Sequence, residues 1–189
     1  LAADRLCFTL GHEQKIPVII MRQFNVYGPR ETQPYVIPEI ISQLNNGNKL
    51  NLGNLIARRD FTFVTDAARA AIKLMECDNA VGQVVNVGSG KDYSIEQIAY
   101  LIAELMGVDD ITINVKSNRL RPLDVNHLNC DNRKIKRLVS WEPEIDFRTG
   151  LKLTIEHFKN EGCRWPWEET YGATEEVWSG EKSRTNQAS

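Results

Sequence analysis

Four arginines carry most of the chemistry this sequence can offer. Arg58 and Arg59 sit side by side at the head of "RRDFTFV", and Arg119 and Arg121 precede Pro122 in "NRLRPLDV". A guanidinium presents paired donors that match phosphate oxygens, so arginines on rigid elements beside loops suit a clamp for a diphosphate. Surface ion pairing with the many carboxylates would satisfy any one of them equally well. The run "RKIKR", Arg133 to Arg137, reads as a solvated helix face. Lys and Arg total 23 against 25 Asp and Glu, a net charge of −2, which argues against a polyanion-binding surface. Three of the four tryptophans fall in an acidic tail and do not interleave with basic residues, so nucleic-acid binding is not expected.

Other groups promise less. "GSGK", Gly88 to Lys91, is not a phosphate loop, because Val85 stands where the first Gly is needed and Asp92 follows the Lys. Its glycines read as a sharp turn or as bare backbone approaching a ligand. The dinucleotide fingerprint G-x-G-x-x-G is missing. His12, His127 and His157 are far apart and have no triad context, so they read as surface or helix residues. Cys7, Cys77, Cys130 and Cys163 show no C-x-x-C spacing. They read as free, mostly packed thiols of a reducing cytoplasm, with no metal site. No apolar run is long enough to cross a bilayer, and no signal peptide is visible.

The elements that must position these groups alternate between helix and strand. "LAADRLCFTLGHEQ" puts Ala2, Ala3, Leu6, Cys7 and Leu10 on one helical face, with no capping residue before Leu1. "PVIIM", Pro17 to Met21, has the continuous apolar character of a strand covered on both faces. The loop "FNVYGPRETQP" follows, and then a helix near Pro38 to Asn46 that stops at Gly47. "KLNLG" and "RDFTFV" are expected strands. Asp66 is the expected N-cap of "AARAAIKLMEC". "QVVNVGSG" is a buried strand ending in a glycine turn. Ser94 and Gln97 form a capping-box pattern opening a helix. "ITINV" is a strand, and "DNRKIKRLVSW" and "FRTGLKLTIEHFKNEG" are the last two helices. This alternation predicts an α/β fold with parallel pairing. After Gly162 the chain turns polar and acidic, with Trp165, Trp167 and Trp178, and its end is expected to be partly disordered.

"RQFNVYGPR", "VIPEII", "LNLGN…RRDFTFVTDAARA", "QVVNVGSG", "YSIEQIA", "RLRPLDV" and "KRLVSWEPEIDFRTGLKLTIEHF", in this order, resemble the C-terminal half of the extended short-chain dehydrogenase/reductases that act on nucleotide sugars. "LGN…RDFTFV" and the passage around "RPLDV" look most like the NAD-dependent 4,6-dehydratases, although 4-epimerases and UDP-glucuronate decarboxylases carry similar passages. The resemblance covers about residues 1 to 160 and implies a Rossmann-type fold with a smaller substrate-binding domain. Residues 1–30 would end the dinucleotide-binding domain, 31–161 would form mainly the substrate-binding domain with segments returning to the Rossmann sheet, and 162–189 would be a Trp-containing tail without a clear family counterpart.

The resemblance also implies the site. The family's Tyr-x-x-x-Lys would lie just upstream of Leu1, so this chain is expected to be a C-terminal portion, inactive alone, of an enzyme using NAD on a nucleotide-diphosphate sugar. A non-catalytic nucleotide-sugar-binding module is the alternative from another class. By position, Asn25 corresponds to an asparagine that contacts substrate phosphate or sugar, and Val26 to a residue near the nicotinamide. Val36 corresponds to a substrate-side wall, and Leu50 and Leu52 to positions lining the nucleotide base, where some relatives place a stacking tyrosine at Leu52. Arg59 and Arg121 correspond to the arginines that grip the diphosphate. A homodimer through the helix that begins at Leu1 is the expected assembly.

Overall fold

The computed structural model describes residues 2–31, 35–120 and 123–161 of the chain. Arg121 and the Trp-containing tail from 162 onward lie outside the described residues. Helix α1 (Ala2–Gln14) leads to strand β1 (Ile20–Gln23), β2 (Asn25–Tyr27), helix α2 (Val36–Asn45), β3 (Lys49–Leu52), β4 (Arg58–Phe63) and α3 (Val64–Met75). Then come β5 (Val84–Val87), β6 (Asp92–Ser94), α4 (Ile95–Met106), β7 (Thr112–Val115), β8 (His127–Leu128), α5 (Arg133–Val139) and α6 (Phe147–Glu161).

Pairing is mostly parallel, as the alternation predicts. β1 pairs with β5, β2 with β4, β3 with β7 and β8 with β4, all parallel, while β6 joins β4 antiparallel. β2, β6 and β8 span only two or three residues, too few for an alternating pattern to announce them.

Two apolar clusters hold these pieces. The larger gathers Tyr27 with the buried faces of α2, α4 and α6 and the inward side chains of β3 and β4. The smaller packs Ala70 and Leu74 of α3, Val85 and Val87 of β5, Ile135 of α5 and Trp141. The Ser94–Gln97 capping box is formed in full, and Gly107 closes α4 in the left-handed conformation.

Three local expectations are corrected. Asp66 is not an N-cap: β4 runs straight into α3, which starts at Val64, so Asp66 falls in the first turn. There its buried carboxylate accepts the backbone N–H groups of Glu144 and Ile145 and pairs with Arg69, while Trp141 Nε1 donates to its carbonyl at 3.0 Å. The strand read at Pro17 to Met21 pairs only from Ile20, where β5 first lies alongside. It is not covered on both faces, since Ile20 and Met21 are half-buried and Arg22 and Gln23 are exposed. The helical face of α1 read from the sequence stays open within the chain: Leu6 is 61% exposed and Leu10 41%.

Gly150 explains how α6 reaches the larger cluster. A Cβ there would run into the hydroxyl and ring of Tyr27, whose hydroxyl donates to the Phe147 carbonyl at 3.2 Å. Burial, with the nearby Asp146 charge, raises the Tyr27 pKa well above its ordinary value, so this hydroxyl is a fixed donor. Gly150→Ala is expected to cost about 1–3 kcal/mol by overpacking, measured by urea unfolding. An unchanged midpoint would show that α6 is not seated this closely.

Candidate substrate-binding site

β4 is the strand around which the candidate site is arranged. Its residues alternate, so Phe61 and Phe63 enter the larger cluster while Asp60 points the other way. Asp60 is completely buried, and its carboxylate accepts from Ser89 N (2.8 Å), Ser89 Oγ (2.7 Å), Gly90 N (2.8 Å) and Cys130 N (3.1 Å). The glycine turn after β5 is therefore folded onto a carboxylate. Gly88 must be Gly because a Cβ would collide with that of Cys130. Burial, with Asp60 and Asp131 nearby, pushes the Cys130 thiol up to about 12, which rules out a thiolate nucleophile there.

On either side of Asp60 lie two of the residues singled out by resemblance. Asn25, on β2, donates its side-chain amide to the Asp60 carbonyl at 3.0 Å. Arg59, on β4, pairs with Asp124 at 2.7 Å and also donates to the carbonyls of Arg58 and Val125. Asp124 is held in turn by Asn54 Nδ2 at 3.0 Å. Asn25 and Arg59 are thus fixed by one strand. Val26 is half-buried and in register with Thr62, and Val36 is the half-buried first residue of α2, packed against the larger cluster. Arg121 lies outside the described residues.

Leu50 and Leu52 face inward. Both are buried in the larger cluster, at 0% and 3% exposure, so their side chains line no open surface. The strand's parity turns Lys49 and Asn51 outward instead. These two border a groove of about 520 Å³ with Glu39, Gln43, Asn46 and Arg119. Gln43 caps the outer edge of β3, accepting from Asn51 N at 2.6 Å and donating to its carbonyl at 3.3 Å. Arg119 is tied to Glu39 at 2.9 Å and Arg58 to Asp92 at 2.6 Å, so both, like Arg59 with Asp124, make the ion pairs that were the alternative to a phosphate contact.

Asp92 also accepts from His127 and from Asn129. Burial works against its charge, but the hydrogen bonds from Arg58, His127 and Asn129 outweigh it and hold the carboxyl below the usual range. Among the described residues no group of three His, Cys, Asp or Glu side chains could hold a metal ion, and no helix is long and apolar enough to cross a membrane. Sequence reasoning missed Asp60, Asp124 and Asn54. The only trace they leave is a carboxylate immediately after each arginine-bearing motif, in "RRD" and "RPLD".

The family profile described as GDP-mannose 4,6 dehydratase matches residues 1–154. The chain belongs to the GDP-mannose 4,6 dehydratase family. It is 33% identical over 164 residues to a UDP-N-acetyl-alpha-D-glucosaminuronate decarboxylase of Bacillus cytotoxicus, covering 82% of this chain and 50% of that protein. To the human dTDP-D-glucose 4,6-dehydratase it is 29% identical, covering 84% and 47% respectively. The solved UDP-glucuronic acid 4-epimerase of Bacillus cereus, in complex with UDP-glucuronic acid and NAD, superposes with a TM-score of 0.77 at 25% identity, covering 85% of this chain and 51% of that one. The chain thus spans about half the length of the curated relatives it matches, and its α/β fold is that of Rossmann-type short-chain dehydrogenase/reductases.

The loop that leads away from β2 in this family member carries a titratable group of its own. One oxygen of Glu31, Oε2, is buried without a hydrogen-bond partner among the described residues, and burial pushes its pKa from an ordinary 4.5 to about 8. The folded chain then keeps a proton that the unfolded chain loses. The contribution of Glu31 to stability is greatest below pH 4.5, falls as the pH rises to about 8, and levels off above that. Glu31→Gln is expected to match wild type near pH 4 and to be more stable by about 1–3 kcal/mol at pH 8. A stability difference between wild type and Glu31→Gln that stays the same from pH 5 to pH 8 would contradict a protonated Glu31.

Proposed function

We propose that this chain is the nucleotide-diphosphate-sugar-binding half of an NAD-dependent nucleotide-sugar 4,6-dehydratase. The observation that carries this reading is Arg59, a largely buried guanidinium held on the same strand that fixes Asn25. Arg59 would grip the diphosphate together with Arg121, and Asn25 would meet the phosphate or sugar end. Binding the unreactive nucleotide orients the sugar for reaction. Lys49 and Asn51 take over from the leucines as the β3 side chains free to face a nucleotide.

For the cofactor, Val26 offers a half-buried apolar wall that suits a nicotinamide face. NAD, when bound, supplies the hydride acceptor and donor. In the parent reaction C4 of the sugar is oxidised, water is lost across C5 and C6, and hydride returns at C6. We assign residues 1–30 to the end of the cofactor domain and 31–161 mainly to the substrate domain. The catalytic Tyr-x-x-x-Lys would belong to a preceding segment, and the chain alone would bind without turning over. The exposed apolar face of α1 supports a homodimer contact. The free thiols of Cys7, Cys77 and Cys130 support a reducing, cytoplasmic setting.

The 33% identity to a decarboxylase favours a second reading, in which the oxidised sugar loses a carboxylate. Product analysis of the intact parent separates the readings. A 4-keto-6-deoxy sugar supports dehydration, while a decarboxylated pentose or a C4 epimer contradicts it. For this chain, calorimetry with GDP, UDP and dTDP is expected to show saturable binding to at least one, weakened about tenfold or more by Arg59→Ala and by Arg121→Ala. Equal binding by wild type and both variants would remove the clamp, and a monomer by sedimentation would remove the dimer.

A further inference from the structure

The bonds of Arg59 have a direction. Nη1 donates to the Arg58 carbonyl at 2.9 Å and to the Val125 carbonyl, and Nη2 donates to Asp124 Oδ1 at 2.7 Å. Among the described residues nothing accepts from Nε–H or from the second Nη2–H. A guanidinium carries Nε–H and one Nη2–H along one edge, the side-on fork that fits two oxygens of a phosphate. Nη1, by contrast, is engaged by two carbonyls.

The group responsible is itself braced. Asp124 Oδ2 accepts from Asn54 Nδ2 at 3.0 Å, and the Asp124 and Arg59 side chains are only 16% and 17% exposed. Behind them, Arg58 N donates to the Asn126 carbonyl at 2.7 Å and β8 pairs with β4, so the segment carrying Asp124 is stitched to the strand carrying Arg59. An arginine has many rotamers, and holding it in one before the ligand arrives removes an ordering cost from binding.

We propose that Asp124 is a positioning residue: with Asn54 behind it, it turns Arg59 end-on so that the Nε/Nη2 edge is left for a phosphate. The proposal rests on the reading of Arg59 as a diphosphate ligand and adds the residue that aims it. Asp124 touches no phosphate in this account. Its charge offsets part of that of Arg59, so what it contributes is direction more than attraction.

The test pairs side-chain NMR with calorimetry on the full chain. In the wild type, the Arg59 Nε–H resonance is expected to be resolved and slowly exchanging, unlike that of the exposed Arg5. Asp124→Ala is expected to average it, to weaken GDP, UDP or dTDP binding about tenfold, and to leave the affinity for the matching nucleoside unchanged. Asp124→Asn keeps an oxygen for Nη2 and is expected to retain binding within about threefold, which keeps the test decisive if the alanine variant folds poorly. A mobile Arg59 resonance in the wild type, or diphosphate binding that Asp124→Ala leaves intact, overturns the positioning role while the clamp stands. If the wild type binds none of the three diphosphates, the reading of Arg59 as a clamp fails, and this inference fails with it.

Discussion

The Asp60 carboxylate is buried completely and is satisfied by four donors, three of them backbone N–H groups from two segments distant in sequence. A buried anion left unpaired costs several kcal/mol, so the chain around it has little freedom. The glycine turn at 88–90 and the segment entering α5 must both present their amides to it, and the small residue at Gly88 lets Cys130 come close enough. The Asp60 carbonyl meanwhile fixes Asn25. The residue before it is Arg59. One strand therefore joins the turn after β5, the last third of the chain and the candidate clamp.

The same motif repeats the device six residues later. Asp66 is also buried, and it gathers Glu144, Ile145, Trp141 and Arg69 as Asp60 gathers Ser89, Gly90 and Cys130. Each carboxylate pins a returning segment to β4 or to the start of α3, and each links the two apolar clusters without adding apolar area. Such sites favour one arrangement over its neighbours more than they add to overall stability, because the desolvation cost offsets much of the hydrogen-bonding gain.

The longer elements were legible because their periodicity is strong: α4 with its capping box, α6, and the apolar core of β5 fall where the sequence places them. The two- and three-residue strands were not, since their pairing comes from β4 and not from their own residues. The resemblance supplied Asn25 and Arg59, which the structure brings to one strand pair, and also Leu50 and Leu52, whose side chains lie in the larger cluster. "KLNL" already held the corrective signal, because an alternating strand with leucines inside must show Lys49 and Asn51 outside. The pairing of Arg59 with Asp124 spans 65 positions and leaves no local pattern. Asp66 looked like a cap because it directly precedes "AARAA", but α3 already starts at Val64, directly after β4.

Amide hydrogen exchange on Asp60→Asn tests most directly whether one carboxylate holds these segments together. If it does, the amides of Ser89, Gly90 and Cys130 lose protection together and by similar factors, while those of α4, which make no contact with Asp60, keep theirs. If the three amides stay protected, or only one of the two segments opens, Asp60 is not the shared anchor and the site is held together by packing instead.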